Sequence, residues 1–263
     1  MRIESTHGIV TGAASGIGLA TCGMLLESGA PKVGMLDFQK PKLLAAWEKL
    51  AAVYSPDRVA HYCTDVRNPE QVTSAIAQFG EWAGCLNLVV NCAGILLDGA
   101  IASVSFRGVK QYPLDNWEAT LDTNLKGAFL VAREAIAPML RCKVPNASAD
   151  DSSRGLIVTI SSISRLGRAG QAAYSASKGA LVSLALTLAQ ELASYRIRSV
   201  AIAPGLVDTP MAAQIPGPHR KDMLQRVAIQ RMGRPDEIAH AVRFCIENEF
   251  FNGRVLELDG GAY

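Results

Sequence analysis

The stretch GIVTGAASGIGLATCGMLLESGA, residues 8–30, decides the fold class of this chain. Residues 8–12 form a short apolar run that ends in glycine, which is typical of a buried strand. From residue 16 the apolar side chains recur at helical spacing, and the predicted helix stops at Gly29. A strand that runs through a glycine-rich turn straight into a helix is the repeating unit of α/β folds, so this stretch predicts a parallel sheet.

The rest of the chain repeats this alternation of short strands and longer helices. Further strands are predicted at residues 31–38, 59–66, 86–94, 155–162, 197–205 and 253–261. Further helices are predicted at residues 42–54, 68–82, 114–140, 172–192 and 234–247. Several of the strands are apolar on both faces, as expected when helices cover both sides of a parallel sheet. We therefore expect one α/β domain that covers residues 1–263.

Three segments interrupt the alternation. Residues 102–113 are polar and precede a helix. Residues 141–155, rich in Asp, Asn and Ser, are predicted to form an exposed loop between a helix and a strand. Residues 211–231 mix Pro, Gly and amphipathic residues, which suggests a substrate lid over about residues 205–232.

The charge balance argues against several classes of partner. The chain carries 26 Lys and Arg against 24 Asp and Glu, a formal net charge of +2. This balance, without any block of like charge, argues against a nucleic acid or an anionic membrane surface. No apolar run approaches the length of a transmembrane helix, and the N-terminal segment lacks the apolar core of a secretion signal.

The six cysteines, at positions 22, 63, 85, 92, 142 and 245, are scattered along the chain. They form no C-x-x-C pair and have no histidine at ligand spacing, so we expect no metal site. In a chain of this length they are interpreted as reduced thiols, mostly in the core. This implies a reducing compartment, for which we expect the cytoplasm, with the mitochondrial matrix as the alternative.

The glycine-rich turn after the first strand is a candidate binding site for a pyrophosphate. Gly12, Gly16 and Gly18 allow a tight turn and a close approach of the ligand, with Ser15 and Ile17 between them. The helix that begins here offers free N–H groups and the positive end of its dipole. The spacing is G-x-x-x-G-x-G rather than G-x-G-x-x-G. The alternative is a turn that needs glycine only for its shape.

Asp37 ends the second predicted strand, 19 residues after Gly18. In a dinucleotide-binding fold, an acid at this place accepts hydrogen bonds from the adenosine ribose and repels a 2′-phosphate. Residues 13–15 include no Arg or Lys, Phe38 follows the acid, and Lys40 is the nearest cation. We therefore expect NAD rather than NADP as cofactor. The alternative is that Asp37 is only a turn residue.

Polar or small residues also end the third and fourth predicted strands. Asp65 and Val66 end the third, where the carboxylate is placed to bind the adenine amino group or merely to cap a loop. Asn91, Ala93 and Gly94 end the fourth, and small residues there let a nucleotide lie against the backbone. Ligands of open α/β sheets bind at the carboxyl ends of the strands, so these residues are expected to line one site.

Tyr174 and Lys178 are four residues apart at the start of a predicted helix, so they share one face. The attraction between an ammonium and a phenolate about 4 Å apart contributes about 4 kcal/mol at an effective dielectric of 20, which corresponds to about three pKa units. Lys178 is therefore predicted to lower the pKa of Tyr174 until the phenol exchanges protons near neutral pH. Ser161 and Ser162 end the preceding strand, where a hydroxyl is placed to bind a substrate oxygen. The alternative is a boundary tyrosine beside a solvated lysine.

The motifs TGAASGIG, NCAG, TNLKGAF, ISS, YSASKGAL and APGLVDTP occur in this order over nearly the whole chain. Together they resemble the classical short-chain dehydrogenase/reductase family. The resemblance implies a doubly wound Rossmann fold with a seven-stranded parallel sheet and a nicotinamide cofactor. It implies that Tyr174 is the acid/base, that Lys178 binds the nicotinamide ribose, and that Asn124 anchors a proton-relaying water. It also implies a homotetramer, or a dimer, formed through the helices at residues 114–140 and 172–194.

The same resemblance bears on the remaining site residues. The catalytic serine of the family usually lies 13 residues before the tyrosine, and this spacing selects Ser161. Alignment of the strand LIVTISS selects Ser162 instead, if one residue is deleted in the loop that follows. We prefer Ser162, with Ser161 as the alternative. The family's counterpart of PGLVDTP approaches the nicotinamide, which implies cofactor contacts from Pro204, Gly205, Val207 and Thr209.

A narrower similarity concerns the substrate. Residues 102–113, 170–179 and 237–261 look like those of the type 2 3-hydroxyacyl-CoA dehydrogenases, which also oxidise hydroxysteroids. This similarity implies an NAD-dependent dehydrogenase that acts on a 3-hydroxyacyl-CoA or a hydroxysteroid-type alcohol or ketone. One alternative is a biosynthetic ketoreductase for a CoA-free cyclic, aromatic or terpenoid substrate. Another is a non-catalytic dinucleotide-binding regulator.

Five basic residues in or just after the lid segment bear on this choice. Arg220, Lys221, Arg226, Arg231 and Arg234 either meet the phosphates of CoA or form a solvated face.

Overall fold

The structure is a computed structural model that describes residues 1–106, 108–142 and 153–262. Its strands are β1 (His7–Thr11), β2 (Lys32–Asp37), β3 (Val59–Cys63), β4 (Leu88–Asn91), β5 (Ala102–Ser105), β6 (Gly108–Gln111), β7 (Gly155–Ile160), β8 (Ile197–Pro204) and β9 (Val255–Leu258). Seven of them form a parallel sheet in the order β3-β2-β1-β4-β7-β8-β9. The strand order reverses between β1 and β4, which makes the fold doubly wound and opens a crevice there.

Helices cover both faces of this sheet. They are α1 (Gly16–Glu27), α2 (Lys40–Tyr54), α3 (Pro69–Ala83), α4 (Leu114–Leu121), α5 (Gly127–Arg141), α6 (Ala172–Glu191), α7 (Pro210–Ala213), α8 (Gly217–Gln225) and α9 (Pro235–Glu247). Side chains of α1, α2 and α9 pack on one face, and those of α3, α5 and α6 pack on the other. The predicted seven-stranded Rossmann fold is confirmed.

Alternating side chains of the central strands supply the two halves of the core. In β1, Ile9 points to the α3–α5–α6 side and Val10 to the α1–α2–α9 side, and both are fully buried. In β7, Ile157 and Val158 divide in the same way. Strands with two apolar faces therefore require helices on both sides, as the sequence predicts.

The start and end of α3 follow from local capping chemistry. The side chain of Asn68 accepts a hydrogen bond from the backbone N–H of Gln71, and Pro69 occupies the first helical position. The helix ends at Gly84, whose φ of 70° is left-handed and favours glycine. The helix predicted at residues 68–82 is confirmed.

The structure describes most of the segments at 102–113 and 211–231, which interrupt the alternation of strands and helices. In the polar segment at 102–113, β5 (Ala102–Ser105) pairs antiparallel with β6 (Gly108–Gln111), and both strands are exposed. The helix predicted at 114–140 is divided into α4 and α5 by a π-helical turn, Asp122–Lys126. Of the loop predicted at 141–155, residues 143–152 lie outside the described residues.

The prediction that all six cysteines are reduced is wrong for one pair. Cys85 follows α3, Cys142 follows α5, and the structure joins them in a disulfide with a Cα–Cα distance of 4.9 Å. The two residues are 57 positions apart, so their pairing depends on how α3 and α5 pack and leaves no spacing signal. Cys22, Cys63, Cys92 and Cys245 are free.

Arg198 in β8 is a buried guanidinium that holds the end of α9 in place. Its side chain donates to the backbone oxygens of Cys245, Ile246, Asn248 and Phe251 and to the Ser153 hydroxyl. Two of these acceptors, the carbonyls of Cys245 and Ile246, lie in the last turn of α9, where backbone oxygens have no partner within the helix.

We expect Arg198→Met to lower the free energy of unfolding by about 3 kcal/mol or more, because several buried carbonyls lose their donor. Urea unfolding measures this change. The control is Arg243→Met on the surface of α9, where Arg243 pairs only with Glu247 and the expected loss is about 0.5 kcal/mol. Equal losses in both variants would contradict a structural role for Arg198.

Among the residues that the structure describes, no helix is both long enough and apolar enough to cross a membrane.

Candidate active site

A cleft of about 870 Å³ opens at the carboxyl ends of the parallel strands. It lies at the crevice between β1 and β4, where ligands of doubly wound sheets bind. Most of the residues predicted for the site line this cleft: Gly12, Ser15, Gly16, Ile17, Gly18, Asp37, Phe38, Asp65, Val66, Ala93, Gly94, Ser162, Tyr174, Lys178, Pro204, Gly205, Val207 and Thr209. Asn91 and Asn124 are buried beneath it.

The turn between β1 and α1 is built on glycines that no other residue replaces easily. Gly12 and Gly16 have φ values of 63° and 55°, in the left-handed region. A Cβ atom on Gly18 would lie 2.2 Å from the carbonyl oxygen of Gly12. The first turn of α1 therefore packs directly against the end of β1 and presents its free N–H groups to the cleft.

Thr11 ties the glycine-rich turn to the end of β4, a role that the sequence analysis missed. Its hydroxyl oxygen accepts hydrogen bonds from the backbone N–H groups of Cys92 and Ala93, at 3.1 and 3.0 Å. Because these bonds link two neighbouring strand ends, they fix the floor of the cleft below Gly94. The signal for this role is a threonine that ends an otherwise apolar strand.

The carboxylate of Asp37 is held at the rim of the cleft by backbone donors. One oxygen accepts from the N–H of Ala14 at 3.2 Å, and the other accepts from the N–H of Gln39 at 2.9 Å. The adjacent ring of Phe38 is 60% exposed and offers a flat apolar surface beside the acid.

Asp65 has a partner that the sequence analysis did not foresee. Arg67 binds both of its carboxylate oxygens, and the hydrogen bonds from this guanidinium lower the pKa of Asp65. Asn91 faces α5, with its Nδ2 3.5 Å from the carbonyl oxygen of Ala128. Direct ligand contacts from Asp65 and Asn91 stay predictions.

Tyr174, Lys178 and Asn124 meet at the inner end of the cleft. The Nζ of Lys178 lies 5.5 Å from the ring centroid of Tyr174 and donates to the carbonyl oxygen of Ile160 at 2.8 Å. Asn124, in the π-helical turn, exchanges two hydrogen bonds with the backbone of Ile95. A Cβ atom on Gly94 would lie 3.2 Å from Asn124 Oδ1 and 3.6 Å from Lys178 Nζ.

The pKa of Tyr174 moves in the direction opposite to the predicted one. The pKa is raised to about 12, mainly by burial and also by the carboxylate of Asp98, and a hydrogen bond with Ser162 offsets part of the rise. Burial also lowers the pKa of Lys178 to about 8. The prediction assumed an ammonium about 4 Å from the hydroxyl, whereas this ammonium lies over the ring and desolvation outweighs its attraction.

The two candidate serines have different partners. The hydroxyl of Ser161 donates to the backbone oxygen of Lys178 at 2.7 Å, inside the packing between β7 and α6. The hydroxyl of Ser162 lines the cleft, is hydrogen-bonded to Tyr174 and accepts from the N–H of Ser164 at 3.1 Å. Of the two, only Ser162 has its hydroxyl beside the phenol.

The segment after β8 closes over the same cleft. A Cβ atom on Gly205 would lie 2.7 Å from the Cα of Asp259, and Val207 is buried. Thr209 caps α7 by accepting from the N–H of Ala212, and its methyl group lies 3.2 Å from the Cβ position of Gly16. The beginning of the predicted lid thus touches the glycine-rich turn.

The described residues contain no group of three or more His, Cys, Asp or Glu side chains arranged to hold a metal ion.

Comparison with known proteins identifies the family. Residues 6–219 match the sequence profile of the short chain dehydrogenases. The chain belongs to the short-chain dehydrogenase family. It is therefore an oxidoreductase that acts on CH–OH groups, in a family that binds a nicotinamide dinucleotide.

Several relatives of this short-chain dehydrogenase span its whole length. Human 3-hydroxyacyl-CoA dehydrogenase type-2 is 37% identical over 264 residues, which cover 98% of this chain and 95% of the relative. The 3-oxoacyl-[acyl-carrier-protein] reductase FabG of Thermotoga maritima is 31% identical, with 99% of each chain covered.

Solved structures of short-chain dehydrogenases share the fold of this chain. The crystal structure of 3-hydroxyacyl-CoA dehydrogenase type-2 from Mycobacterium avium superposes with a TM-score of 0.87 at 29% identity, covering 99% of this chain and 97% of that one. A short chain dehydrogenase from Burkholderia cenocepacia in complex with NADP gives 0.84 at 28% identity, with 99% of each chain covered.

Proposed function

We propose that this short-chain dehydrogenase uses NAD to transfer a hydride between the nicotinamide and a secondary alcohol or its ketone, and that its substrate is of the 3-hydroxyacyl-CoA or hydroxysteroid type. The observation that carries the proposal is the grouping at the inner end of the cleft. There Ser162 is hydrogen-bonded to Tyr174, Lys178 lies over the tyrosine ring, and Asn124 lies beside Lys178 next to Gly94. The four polar groups converge on one apolar-walled pocket, as proton transfer to or from a bound alcohol requires.

The residues of the cleft fit a nicotinamide dinucleotide. The turn at Gly12, Gly16 and Gly18 packs too closely against neighbouring protein atoms to accept a Cβ, and α1 offers its N–H groups to a pyrophosphate. The fixed carboxylate of Asp37 suits the two hydroxyls of an adenosine ribose and opposes a 2′-phosphate. When bound, the nicotinamide accepts a hydride from the carbinol carbon or returns it to a carbonyl.

The chain's own residues handle the proton. In oxidation, the phenolate oxygen of Tyr174 takes the proton of the substrate hydroxyl, while the Ser162 hydroxyl binds the same substrate oxygen. Lys178 places a positive charge beside the phenol and so favours the phenolate. Asn124 is placed to hold a water that passes the proton on from Lys178.

The raised pKa of Tyr174 bears on the direction of the reaction. A neutral phenol donates a proton to a ketone oxygen, so burial favours the reductive direction at neutral pH. Oxidation needs the phenolate, which the positive ring of oxidised nicotinamide would favour together with Lys178.

The basic residues near the lid support CoA binding only in part. Arg231 and Arg234 are in ion pairs with Glu237 and Asp236, so they are held at the surface. Arg226 lines the cleft, is exposed and forms no ion pair within the described residues, so it is the cation best placed to meet a CoA phosphate.

The pairing of Arg231 and Arg234 favours a second candidate function, a ketoreductase for a CoA-free cyclic, aromatic or terpenoid substrate. Such a substrate needs the apolar cleft but no phosphate site. NAD binding without turnover of any alcohol would instead favour a regulator without catalytic activity.

The deciding experiment follows NADH absorbance at fixed protein concentration with NAD or NADP. The panel contains 3-hydroxyacyl-CoAs, hydroxysteroids, and cyclic and aryl secondary alcohols. Turnover of acyl-CoAs or hydroxysteroids with NAD supports the proposal. Turnover only of other CoA-free alcohols favours the second candidate and leaves Arg226 as a surface residue.

We expect Asp37→Ala to reduce the NAD/NADP ratio of kcat/KM by about tenfold to a hundredfold. The variant loses hydrogen bonds to a charged acceptor and removes the repulsion of a 2′-phosphate. The matched control is Asp57→Ala, an exposed acid before β3 at the opposite end of the sheet. An unchanged ratio in Asp37→Ala would argue against the role of Asp37 in cofactor choice.

Two further features are proposed with this function. The segment at about 205–232 acts as the substrate lid. The protein forms a tetramer, or a dimer, through α4, α5 and α6. Phe129 on α5 supports this assembly, because its ring is 45% exposed in a surface depression that Leu121, Leu125 and Leu184 also line. Light scattering of the purified protein tests the assembly.

A further inference from the structure

Arg165 lies directly beside the residues of the proposed reaction. It belongs to a 3-10 helix, Ile163–Leu166, whose N-cap residue is Ser162. Its backbone N–H donates to the carbonyl oxygen of Ser162 at 3.1 Å. Residues three apart in a 3-10 helix lie one above the other, so Ser162 and Arg165 share a face. The backbone oxygen of Arg165 also lies 3.3 Å from the Cβ position of Gly179, the residue after Lys178.

The Arg165 side chain is buried but only partly bonded. It is 10% exposed, and its Nη2 donates to Glu257 of β9 at 2.5 Å. Its Nη1 is buried and has no hydrogen-bond partner. Arg165 lines the cleft, and buried N–H groups of a guanidinium normally find an acceptor, so the unbonded Nη1 points to a ligand oxygen as its missing partner.

The charge of Arg165 and its partner indicates whether the ligand oxygen belongs to a carboxylate or to a neutral carbonyl group. Arg165 and Glu257 form an ion pair and together carry no net charge. A carboxylate ligand would leave an excess negative charge in a partly desolvated site, whereas a neutral carbonyl oxygen would not. The balance therefore favours a ketone, ester or thioester oxygen over a carboxylate.

Apolar side chains line the same cleft as Arg165. They come from the 3-10 helix, the lid and the turn after α8, and they are Ile163, Leu166, Ile215, Met223 and Val227. A ligand here combines an apolar chain with one acceptor oxygen, which is the composition of an acyl group.

We propose that Arg165 is a specificity-determining residue whose Nη1 donates to the carbonyl oxygen of an ester or thioester beside the reacting alcohol or ketone. The inference rests on the proposed function and deepens it. It selects 3-hydroxyacyl and 3-oxoacyl compounds over alcohols and ketones without a second oxygen. Glu257 is a positioning residue that turns the guanidinium and neutralises its charge.

The test compares two neutral ketones in NADH-dependent reduction, ethyl acetoacetate and 2-hexanone. They are similar in size, and only the first has a carbonyl two carbons from the ketone. We expect wild type to prefer the oxoester, and Arg165→Met to reduce the oxoester/ketone ratio of kcat/KM by about tenfold or more. Arg165→Lys keeps the charge beside Glu257 but loses the planar fork, so it should show most of the same loss.

The Glu257→Gln variant is expected to shift the substrate preference toward a carboxylate. It leaves Arg165 with an uncompensated positive charge, so acetoacetate as the free acid should gain several-fold relative to its ethyl ester. Arg243→Met, in the surface ion pair of α9, should leave both ratios unchanged.

Two outcomes would overturn the inference while leaving the proposed function intact. One is a wild-type ratio near one. The other is an Arg165→Met variant that loses activity equally on both ketones, since a residue that only links the 3-10 helix to β9 would behave in that way. If wild type binds NADH but turns over neither compound nor any member of the alcohol panel, the proposed function itself fails, and the inference fails with it.

Discussion

Tyr174→Phe is expected to lower kcat/KM by about 10²–10⁴-fold while NAD still binds, because the variant removes only the oxygen that carries the proton. The phenylalanine ring keeps the packing of α6 and the contact of Lys178 with the ring face. The hydroxyl has one side-chain partner in the described residues, Ser162, so its removal disturbs little else. Steady-state kinetics with the best alcohol of the panel measure the loss, and fluorescence titration measures NAD affinity.

The matched control is Tyr195→Phe. Tyr195 follows α6, is 50% exposed and does not line the cleft. The same chemical change there should leave kcat/KM within about twofold, because an exposed hydroxyl contributes little to stability. If Tyr174→Phe kept a tenth or more of the wild-type activity, Tyr174 would not be the proton donor, and the four-residue grouping would no longer support the proposed mechanism.

The strands and helices of the sheet could be predicted because local patterns determine them. Ile9 and Val10 are both apolar because each faces a helical layer, and this leaves a continuous apolar run in the sequence. Asn68 and Pro69 mark a helix start through contacts made within one turn. The pairing of β5 with β6 was missed because both strands are short and wholly exposed, so no buried face produces an alternating pattern.

Contacts between distant parts of the chain could not be predicted in this way. Cys85 and Cys142 meet because α3 and α5 end side by side, and Arg165 meets Glu257 across 92 residues. The pKa of Tyr174 was predicted in the wrong direction for a related reason. The spacing of Tyr174 and Lys178 gives their common helix face, but not how much water surrounds the phenol.

Gly18→Ala is expected to weaken dinucleotide binding about five- to 150-fold and to destabilise the fold by about 1–3 kcal/mol. The added Cβ would lie 2.2 Å from the carbonyl oxygen of Gly12 and 2.8 Å from its carbonyl carbon. Backbone atoms cannot rotate away as a side chain does, so α1 must move off the end of β1. That movement displaces the N–H groups that face the cleft. Calorimetric titration with NAD and urea unfolding measure the two effects.

The matched control is Gly23→Ala. Gly23 lies one and a half turns further along α1, where the packing leaves space for a Cβ atom. Its added Cβ would meet only the Leu50 side chain, at 4.0 Å. Alanine in the interior of a helix is favoured over glycine by about 0.5–1 kcal/mol, so this variant should be slightly more stable and bind NAD normally. The two variants are thus expected to change stability in opposite directions. If Gly18→Ala bound NAD as tightly as Gly23→Ala does, the close contact between α1 and β1 would not be what forms the pyrophosphate site.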